Sequence, residues 1–555
     1  MILVKLMKKN GRIFFAVIAG VALLAALAYG VSAYLYPVRY IASEDNTLTL
    51  NLSVMESSGE VGEKKVVLTR GTPVRVRRHG SSKSLVEYEG QRFEVDNSML
   101  ADSLQACVDT EAVFPRRTLT LFSSKSGQLS DVTAARGQRL DVVKADTADL
   151  DQKTGMVDWY EVSFDQGTYY VPGRYVELSK EKALANNASA AYSTYWDASY
   201  GDGYSQDAFL VQEDWKTSPV PDFESNPRRD DVKGIHVQME NFLADPDYYM
   251  DLLDNTVLNS IVLELKDESG HVMYDSNAVR AFLPDAQQAI VSETSMEDLK
   301  ALLEKFQDKG YYMIGRVSCF KDDVFASQFP EAAMQNLDGS LYISGESGWA
   351  SPYSRKAWQY NGDLAAEAAG MFNEVQLDYV RFPEGLALKQ GQYIDHNEAS
   401  ESKASAIQGF VEYVRDRVHD RQAYLSADVF GQVVTANDDQ DMGQFVPGLL
   451  VAADYVSPMA YADHFEAGSL GIDYPWLQQG LTMEYYTRAA SSIFSDWSQY
   501  RPWFQGYANT PQDIEDQIRA LESQDVSTWL IWDGAGSKEN TEAVRPGIAL
   551  SKTGQ

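Results

Sequence analysis

The stretch Glu374-Val-Gln-Leu-Asp-Tyr-Val-Arg-Phe-Pro383 decides the fold. Side chains of a strand alternate between its two faces, so three apolar or aromatic residues share one face while Gln376 and Asp378 share the other. An apolar face opposite a carboxylate near the C-terminal end of the strand is typical of a (β/α)8 barrel. In that fold the outer face packs on helices and the inner face approaches the catalytic mouth. A half-exposed antiparallel strand with a solvated Asp378 is the alternative, and the flanking sequence favours the barrel.

Length and charge limit the possible functions. The chain has 555 residues, of which 44% are hydrophobic, and a formal net charge of -32. A chain of this length exceeds a single core, so several domains are expected. Nucleic acid and anionic lipid both require a basic surface, so the acidic balance argues against either as the main partner.

Residues 13–36 form an uncharged segment that follows four basic residues. A helix that rises ~1.5 Å per residue would let this segment cross a hydrocarbon core of ~30 Å. The basic flank places a tail of residues 1–12 in the cytoplasm and the remaining chain outside. A cleaved signal peptide, with Val31-Ser-Ala33 as a poor cleavage site, is the alternative. We expect a single-pass protein of the cell membrane with extracellular C-terminal domains.

Two glycine-punctuated segments follow, residues 45–105 and 115–180. Each has an Arg-Gly turn, at Arg70 or Arg136, that leads into an alternating strand, and this spacing predicts two small all-β barrels. The pattern resembles tandem bacterial Src-homology-3-like domains, which implies a spacer role or binding to cell-wall material. Residues 181–231 are rich in small, acidic and proline residues and are predicted to be a linker.

Residues 232–540 alternate between strand and helix patterns, which predicts one (β/α)8 barrel, an α/β TIM fold. A doubly wound open sheet is the alternative, but its usual glycine-rich phosphate loop is not found in the sequence. The predicted strands are Val232–Gln238, Ser260–Lys266, Tyr311–Cys319, Glu374–Arg381, Ala423–Phe430, Tyr455–Tyr461, Pro502–Tyr507 and Ser527–Asp533. The predicted helices include Met296–Lys309, Ser354–Ala369, Ala404–Asp420 and Pro511–Gln524.

Polar or aromatic side chains point into this barrel near the C-terminal end of nearly every strand. A barrel filled only for stability would carry aliphatic residues there. Buried polar groups are costly unless they pair with each other or bind a ligand, so an internally satisfied network is the alternative to a binding site. Strand alternation assigns to the inner face His236, Glu264, Lys266, Arg316, Gln376, Asp378, Asp428, Tyr461, Trp503 and Tyr507, with Trp532 near the mouth.

The sequence supplies acid chemistry better than other chemistries. Its six histidines form no close ligand pair, Cys107 and Cys319 fall in different predicted domains, and no Gly-x-Ser-x-Gly elbow occurs. We therefore expect neither a metal nor a cofactor. Paired carboxylates suit glycoside hydrolysis, in which one acid protonates the leaving oxygen and a second carboxylate attacks the anomeric carbon or activates water.

Six short motifs together resemble a bacterial family of glycosyl hydrolase barrels of unknown function, which is distantly similar to the α-amylase-like hydrolases. The resemblance covers about residues 234–533 and implies that Asp378, at the end of the fourth strand, is the nucleophile. It places Asp428 at the acid/base position of the fifth strand, where α-amylase-like barrels usually carry glutamate. The motifs are Leu263–Gly270, Gly315–Val317, Val375–Pro383, Ser426–Gly431, Ser457–Met459 and Trp529–Asp533.

The sequence thus predicts a membrane-anchored extracellular glycoside hydrolase that acts on a cell-surface or environmental polysaccharide. A non-catalytic carbohydrate-binding or cell-wall scaffold protein is the alternative, and the partner is a glycan in either case. The predicted catalytic residues are Asp378, Asp428 and Glu264. The predicted substrate-binding residues are Arg316, Arg381, Lys266, Asp267, His236, Tyr461, Trp503, Tyr507 and Trp532.

Overall fold

The computed structural model describes residues 36–55, 61–185, 213–217, 219–386, 391–435 and 439–553. The predicted cytoplasmic tail, the predicted membrane span up to residue 35, and residues 186–212 and 218 of the predicted linker lie outside these ranges. Within them, no helix is long and apolar enough to cross a bilayer. The chain divides into two compact units, one made of Met1–Arg116, Leu121–Ser126 and Gly137–Ala183 and the other of Arg117–Thr120, Gly127–Arg136 and Leu184–Gln555.

The first predicted repeat is all-β. Its core is built by alternation: Val74 and Val76 are buried between exposed or half-buried arginines and pack with Val86 and Phe93. A five-stranded antiparallel sheet runs in the spatial order Gln91–Asp96, Lys83–Tyr88, Pro73–His79, Val38–Ile41 and Leu100–Ala101. A separate antiparallel ribbon joins Thr47–Met55 to Val61–Thr69, and a short helix spans Leu104–Val108.

The second predicted repeat is also all-β. Trp159–Phe164 pairs antiparallel with Leu140–Ala145 on one side and with Gly167–Pro172 on the other. Ala112–Pro115, Leu119–Phe122 and Val176–Glu177 are further strands of its sheet, and a helix follows at Lys180–Leu184. A strand at Leu129–Ala134 belongs to the other unit. The finer prediction, that both repeats are closed barrels of the Src-homology-3 type, stays a prediction.

Eight parallel strands close into a barrel, as the alternating pattern predicted, so this part of the chain has the (β/α)8 TIM fold. Most of the strands are buried on both faces, since helices cover the outside and side chains fill the inside. In chain order, β1 to β8 are Lys233–Val237, Ser260–Lys266, Tyr312–Ser318, Glu374–Asp378, Tyr424–Phe430, Tyr455–Met459, Trp503–Gln505 and Trp529–Trp532.

The helices between the strands begin at residues that cap them. Thr510 forms a reciprocal capping box with Asp513 and is followed by Pro511, the predicted first residue of this helix. Ser295, Ser354 and Ser402 cap three other helices, each by accepting a hydrogen bond from a backbone nitrogen of the first turn. In chain order, α1 to α12 are Met239–Ala244, Pro246–Asn255, Asn277–Phe282, Met296–Gln307, Asp323–Gln328, Arg355–Ala368, Lys403–His419, Gly431–Thr435, Val446–Ala452, Gln479–Ala490, Pro511–Glu522 and Lys538–Thr553.

Strand β2 contains a bulge that changes the face of its last residue. Glu264 pairs with Arg316 of β3, whereas Lys266 pairs with Val317, so one extra residue lies between them. Leu265 packs closely against Gly315. A Cβ atom added at residue 315 would lie only 2.6 Å from Cδ1 of Leu265. The inward orientation predicted for Lys266 beside Glu264 was wrong, because simple alternation takes no account of the extra residue.

Strand β4 ends at Asp378, three residues before its predicted end. Tyr379 has a φ of 46°, in the left-handed region, and this conformation turns the chain out of the strand. Beyond this turn, the Arg381 guanidinium lies 4.4 Å from the ring centre of Phe430 and 5.0 Å from that of Trp349.

Charged and aromatic groups fill the N-terminal end of the barrel, which we call the floor. Glu374 and Arg501 form an ion pair there, and neither side chain is exposed. The hydroxyl of Tyr312 donates to Glu374 Oε2 at 3.0 Å, and the Arg501 guanidinium lies 3.7 Å from the ring centre of Tyr455. The sequence analysis missed this pair, although Glu374 shares the inner face of β4 with Asp378.

Candidate active site

Three carboxylates surround one guanidinium at the C-terminal ends of β2 to β5. Nη1 of Arg316 donates to the two Glu264 oxygens at 2.7 and 2.6 Å, and Nη2 donates to Asp378 Oδ2. Nε of the same guanidinium lies 3.6 Å from Asp428 Oδ2. All four side chains are at most 7% exposed. The structure therefore brings together the three predicted catalytic residues and Arg316.

Asp378 and Asp428 lie at the same level of neighbouring strands. Strands β4 and β5 pair Gln376 with Ser426 and then Leu377 with Ala427, and the two aspartates are the next residues along. Adjacent strands are ~4.8 Å apart, so two negative charges at this level would repel each other strongly.

The two aspartates are therefore in different electrostatic environments. Burial and the nearby charge of Asp378 raise the pKa of Asp428 well above its usual range, and Arg316 offsets only part of this effect. Nε1 of Trp503 donates to Asp428 Oδ1 at 2.8 Å. Asp428 is thus stabilised as a protonated acid, whereas Asp378 is held as an acceptor by a directly bonded guanidinium.

His236 supports Glu264 from the opposite side of the cluster. Its Nδ1 lies 2.7 Å from the carbonyl oxygen of Asp533, which can only accept, so Nδ1 must donate. Its Nε2 lies 3.1 Å from Glu264 Oε2, so a proton is shared at that contact. Burial opposes ionisation of Glu264, but Arg316 and His236 outweigh it and lower the pKa of this carboxyl.

Aromatic side chains stand over the cluster at the mouth of the barrel. The partly exposed ring of Trp532 has its centre 4.7 Å from the Arg316 guanidinium and 4.3 Å from the His236 ring. Tyr461 stacks on Trp532 at 6.3 Å, and Trp503 meets it edge-on at 5.6 Å. The apolar C–H face of a sugar ring can pack on such a surface.

Two other predicted site residues lie away from the guanidinium. Asp267 caps its own turn, since its Oδ1 accepts from the backbone nitrogens of Ser269 and His271 at 2.9 and 2.8 Å. Tyr507 lies farther out and donates its hydroxyl to Asp463 at 2.8 Å. These contacts give both side chains a structural role in the loops around the mouth.

Lys266 also lies apart from the cluster. Its amine is fully buried, 2.6 Å from Asp322 Oδ2, and donates to Asn361 Oδ1 on α6 at 2.9 Å. Asp322 is the N-cap of α5 and accepts from the backbone nitrogen of Phe325 at 2.7 Å. The buried amine therefore fastens the loop after β3 to the end of β2.

None of the hydrogen bonds that the structure describes joins Arg381 to Asp378 or to the aromatic side chains at the mouth of the barrel. Arg381 donates to the carbonyl of Phe382 and to Glu384 Oε1, both at 3.0 Å. Burial lowers the pKa of Arg381, and Glu384 partly compensates. Its guanidinium holds the loop that follows β4.

The sequence analysis missed the role of Tyr379, which strand alternation had placed on the outer face. Its backbone nitrogen donates to Asp378 Oδ1 at 2.5 Å, and its hydroxyl donates to Glu268. Glu268 also pairs with Lys321 at 3.0 Å. The left-handed backbone at Tyr379 thus brings three loops together beside Asp378, and no periodic pattern in the sequence signals it.

A cavity of about 540 Å³ opens at the C-terminal ends of β5 and β6. Phe430, two residues beyond Asp428 on β5, and Met459 of β6 form part of its wall. The sequence analysis did not identify it, because most of its lining comes from loops. Within the residues that the structure describes, no group of three or more histidine, cysteine, aspartate or glutamate side chains has the geometry of a metal site.

Residues 234–537 match the model of a family described as "putative glycosyl hydrolase domain". This match spans more than half of the chain and coincides with the barrel and its mouth. No protein of the curated set matches the chain significantly.

Solved structures give weaker likenesses. A hypothetical protein from Ruminiclostridium thermocellum ATCC 27405 is 31% identical over 35% of this chain and 97% of its own, with a TM-score of 0.30. The PgaB (BpsB) glycoside hydrolase domain from Bordetella bronchiseptica is 14% identical over 57% and 99%, with a TM-score of 0.42. Alpha-L-fucosidase isoenzyme 2 from Paenibacillus thiaminolyticus is 12% identical over 58% and 49%, with a TM-score of 0.39.

Proposed function

Because the chain belongs to the family of the putative glycosyl hydrolase domain, we propose that its barrel hydrolyses a glycosidic bond, with Asp378 as nucleophile and Asp428 as acid and base. One observation carries this assignment: two carboxyl groups lie at the same level of adjacent strands in opposite electrostatic environments. One carboxyl group in the protonated state, which its raised pKa favours, and a second in the state of a hydrogen-bond acceptor suit acid and nucleophilic roles at one bond.

The reaction follows from these two states. Asp428 gives its proton to the glycosidic oxygen as the bond to the anomeric carbon breaks, and Asp378 attacks that carbon to form an ester. Asp428, now a carboxylate, then takes a proton from water, and the water oxygen attacks the anomeric carbon and releases Asp378. This is the retaining route, for which carboxyl groups ~5–5.5 Å apart are usual. Arg316 balances the charge that Asp378 loses and regains.

The proposed location is the outer surface of the cell membrane, with residues 13–36 as the anchor. The support is the uncharged span and the basic flank of Lys5, Lys8, Lys9 and Arg12. The proposed substrate is a cell-surface or environmental polysaccharide, and the two all-β segments would serve as a spacer or as binding modules. Mature protein in the medium with a new N-terminus near Tyr34 would contradict the anchor.

The test is a screen of a soluble fragment that begins at about residue 36, ahead of the strand Val38–Ile41, against cell-wall and capsular polysaccharides. Appearance of new reducing ends, with the β or α form of the first product assigned by NMR, is the expected result. Asp378→Asn and Asp428→Asn should abolish it, while Asp254→Asn, in an exposed pair with Lys309, should not. Absence of cleavage on every glycan would overturn the proposal.

A non-catalytic carbohydrate-binding function is the second candidate. One observation favours it: Asp378 is only 4% exposed and is already bonded to Arg316, as expected for a structural ion pair. Under this alternative the wild-type fragment binds a glycan in the same screen and leaves it intact after prolonged incubation.

A further inference from the structure

The cavity at the ends of β5 and β6 has both apolar and polar walls. The rings of Phe430 and Phe465 and the side chain of Met459 supply the apolar part. Gln432, exposed on α8, and Glu384 supply hydrogen-bonding groups at its edge. Its volume of about 540 Å³ lies in the range of small-molecule sites. A sugar ring matches such walls, since it has apolar C–H faces and a rim of hydroxyl groups.

A single buried side chain holds two of these walls in place. The guanidinium of Arg381 is 4.4 Å from the ring centre of Phe430 and donates to Glu384 Oε1 at 3.0 Å. Its side chain is only 6% exposed, whereas that of Glu384 is 63% exposed and can still accept hydrogen bonds from a ligand. Arg381 therefore positions the cavity walls and does not itself need to reach the ligand.

Charge limits what the cavity can bind. Its described lining includes the carboxylate of Glu384 and the imidazole of His464 but no lysine or arginine. A uronate or phosphate group would face the Glu384 carboxylate without a lysine or arginine partner among the described lining residues, at a cost in free energy. Hydroxyl groups, in contrast, can donate to Glu384 and both donate to and accept from Gln432.

The position of the cavity relates it to the proposed reaction. Phe430 lies two residues beyond Asp428 on β5, a displacement of about 7 Å toward the loops. We infer that the cavity is a subsite for one neutral pyranose ring of the glycan, next to the ring that reacts at Asp378. This inference rests on the proposed function for its place in the reaction, but the cavity itself can be tested without turnover.

Binding is measured first, on the Asp378→Asn variant. Cellohexaose, maltohexaose and chitohexaose serve as neutral probes and a galacturonate hexamer as the anionic probe, each followed by calorimetric titration. At least one neutral hexamer should bind, and Glu384→Ala and Gln432→Ala should each weaken it by about tenfold, the effect of one or two lost hydrogen bonds. Glu331→Ala is the matched control, because Glu331 is also 63% exposed and paired, with Lys356, outside the cavity. It should bind as the parent does.

The second measurement is the dependence of kcat/KM on oligomer length, for the glycan that the screen identifies. The ratio kcat/KM should rise when the oligomer becomes long enough to reach the cavity. Glu384→Ala and Gln432→Ala should remove that rise through KM.

The outcomes separate the two proposals. If the wild type cleaves a glycan but the cavity variants keep its dependence on chain length, the subsite is wrong and the hydrolase assignment stands. If no glycan is cleaved but a neutral hexamer binds and Glu384→Ala weakens it, the subsite stands and the hydrolase assignment fails. Equal binding of the galacturonate hexamer, or no binding of any neutral hexamer, overturns the subsite.

Discussion

Arg316 is the residue on which the proposed site depends. It contacts three carboxyl groups from three other strands, and these neighbours together raise the pKa of its guanidinium although burial opposes this. Two of those groups, Glu264 and Asp378, accept hydrogen bonds from it directly. Substitutions of a single carboxyl group should therefore change both the charge state and the alignment of the others.

Asp378→Asn should separate catalysis from folding. Arg316 keeps Glu264 and Asp428, so we expect a loss of about 1–3 kcal/mol in the free energy of unfolding, as for one hydrogen bond to a charged group. The loss of the attacking carboxylate should lower kcat by about 10³-fold or more. The charge of Asp378 also helps to raise the pKa of Asp428, so this pKa should fall in the variant.

Urea denaturation and the pH dependence of residual turnover measure these effects. A variant that fails to fold, or that turns over an identified glycan at the wild-type rate, would make Asp378 a structural residue.

Asp428→Asn should change how stability depends on pH. The raised pKa means that the folded state keeps the Asp428 proton at a pH where the unfolded state, with a pKa of ~3.9, has lost it. Unfolding then releases a proton, so this group's contribution to stability is complete below about pH 4 and falls as the pH rises through the folded-state pKa. Asparagine does not titrate, so the variant should gain in Tm relative to the wild type as the pH rises above about 4.

The comparison is a pair of Tm profiles over that range. Glu264 has the opposite sign, since its lowered pKa removes stability only as the pH falls below the ordinary glutamate pKa of ~4.3, at the acid end of the compared range. Parallel profiles would show that Asp428 has the same proton affinity in the folded and unfolded chains.

At the scale of elements, alternation and capping predicted the barrel well. The eight strands were found at the predicted places because strong apolar outer faces and Gly or Pro boundaries are local features of the sequence. The ends of the strands were less accurate. β4 stops at Asp378 because of the left-handed Tyr379, a backbone choice that no periodicity reveals.

The candidate site was predictable in part for the same reason. Glu264, Arg316, Asp378 and Asp428 share one face of their strands, so parity alone groups them. Lys266 was assigned to the wrong face because the bulge in β2 adds one residue and so reverses the alternation of side chains after it. The partners of Lys266 and the cavity lining come from loops and helices, whose approach depends on tertiary packing.

The bulge of β2 makes a further prediction about Lys266. Lys266→Met should cost about 3–5 kcal/mol of stability, because it leaves the carboxylate of Asp322 buried without its cation. Adding Asp322→Asn should restore most of the loss, since asparagine removes the charge and still caps α5.

Urea denaturation of the barrel gives these differences. Lys309→Met is the matched control, because its pair with Asp254 is exposed and should cost less than about 1 kcal/mol. If Lys266→Met costs no more than the control, the amine does not fasten the loop.

At the scale of the whole molecule, the barrel has polar groups at both of its ends. The mouth carries the proposed site, whereas the floor carries the Glu374–Arg501 pair, which is closed off by Tyr312 and Tyr455. The two ends serve different purposes, since groups at the C-terminal face of such barrels usually act on substrates and those at the opposite face contribute to stability.

Replacing both members of the floor pair should be tolerated better than replacing one. Arg501→Met alone leaves the Glu374 carboxylate buried without its cation, so it should lower the free energy of unfolding by about 3–5 kcal/mol. The double variant Glu374→Met with Arg501→Met should be neutral or more stable by up to about 4 kcal/mol at 25 °C, because two desolvated charges are removed. Turnover on an identified glycan should be unchanged in the double variant. A double variant less stable than Arg501→Met would contradict this account.

The Glu374–Arg501 pair of the floor also affects how the free energy of unfolding of the barrel depends on temperature. Hydration of charged groups becomes less favourable as temperature rises, so the penalty for keeping Glu374 and Arg501 away from water shrinks on warming. The apolar double variant should therefore have its advantage at low temperature and lose part of it near the unfolding transition. Stability curves of the wild type and the double variant, measured from 5 to 60 °C, should converge as they approach their unfolding midpoints. The ion pair of the floor therefore contributes most to the free energy of unfolding under heat stress.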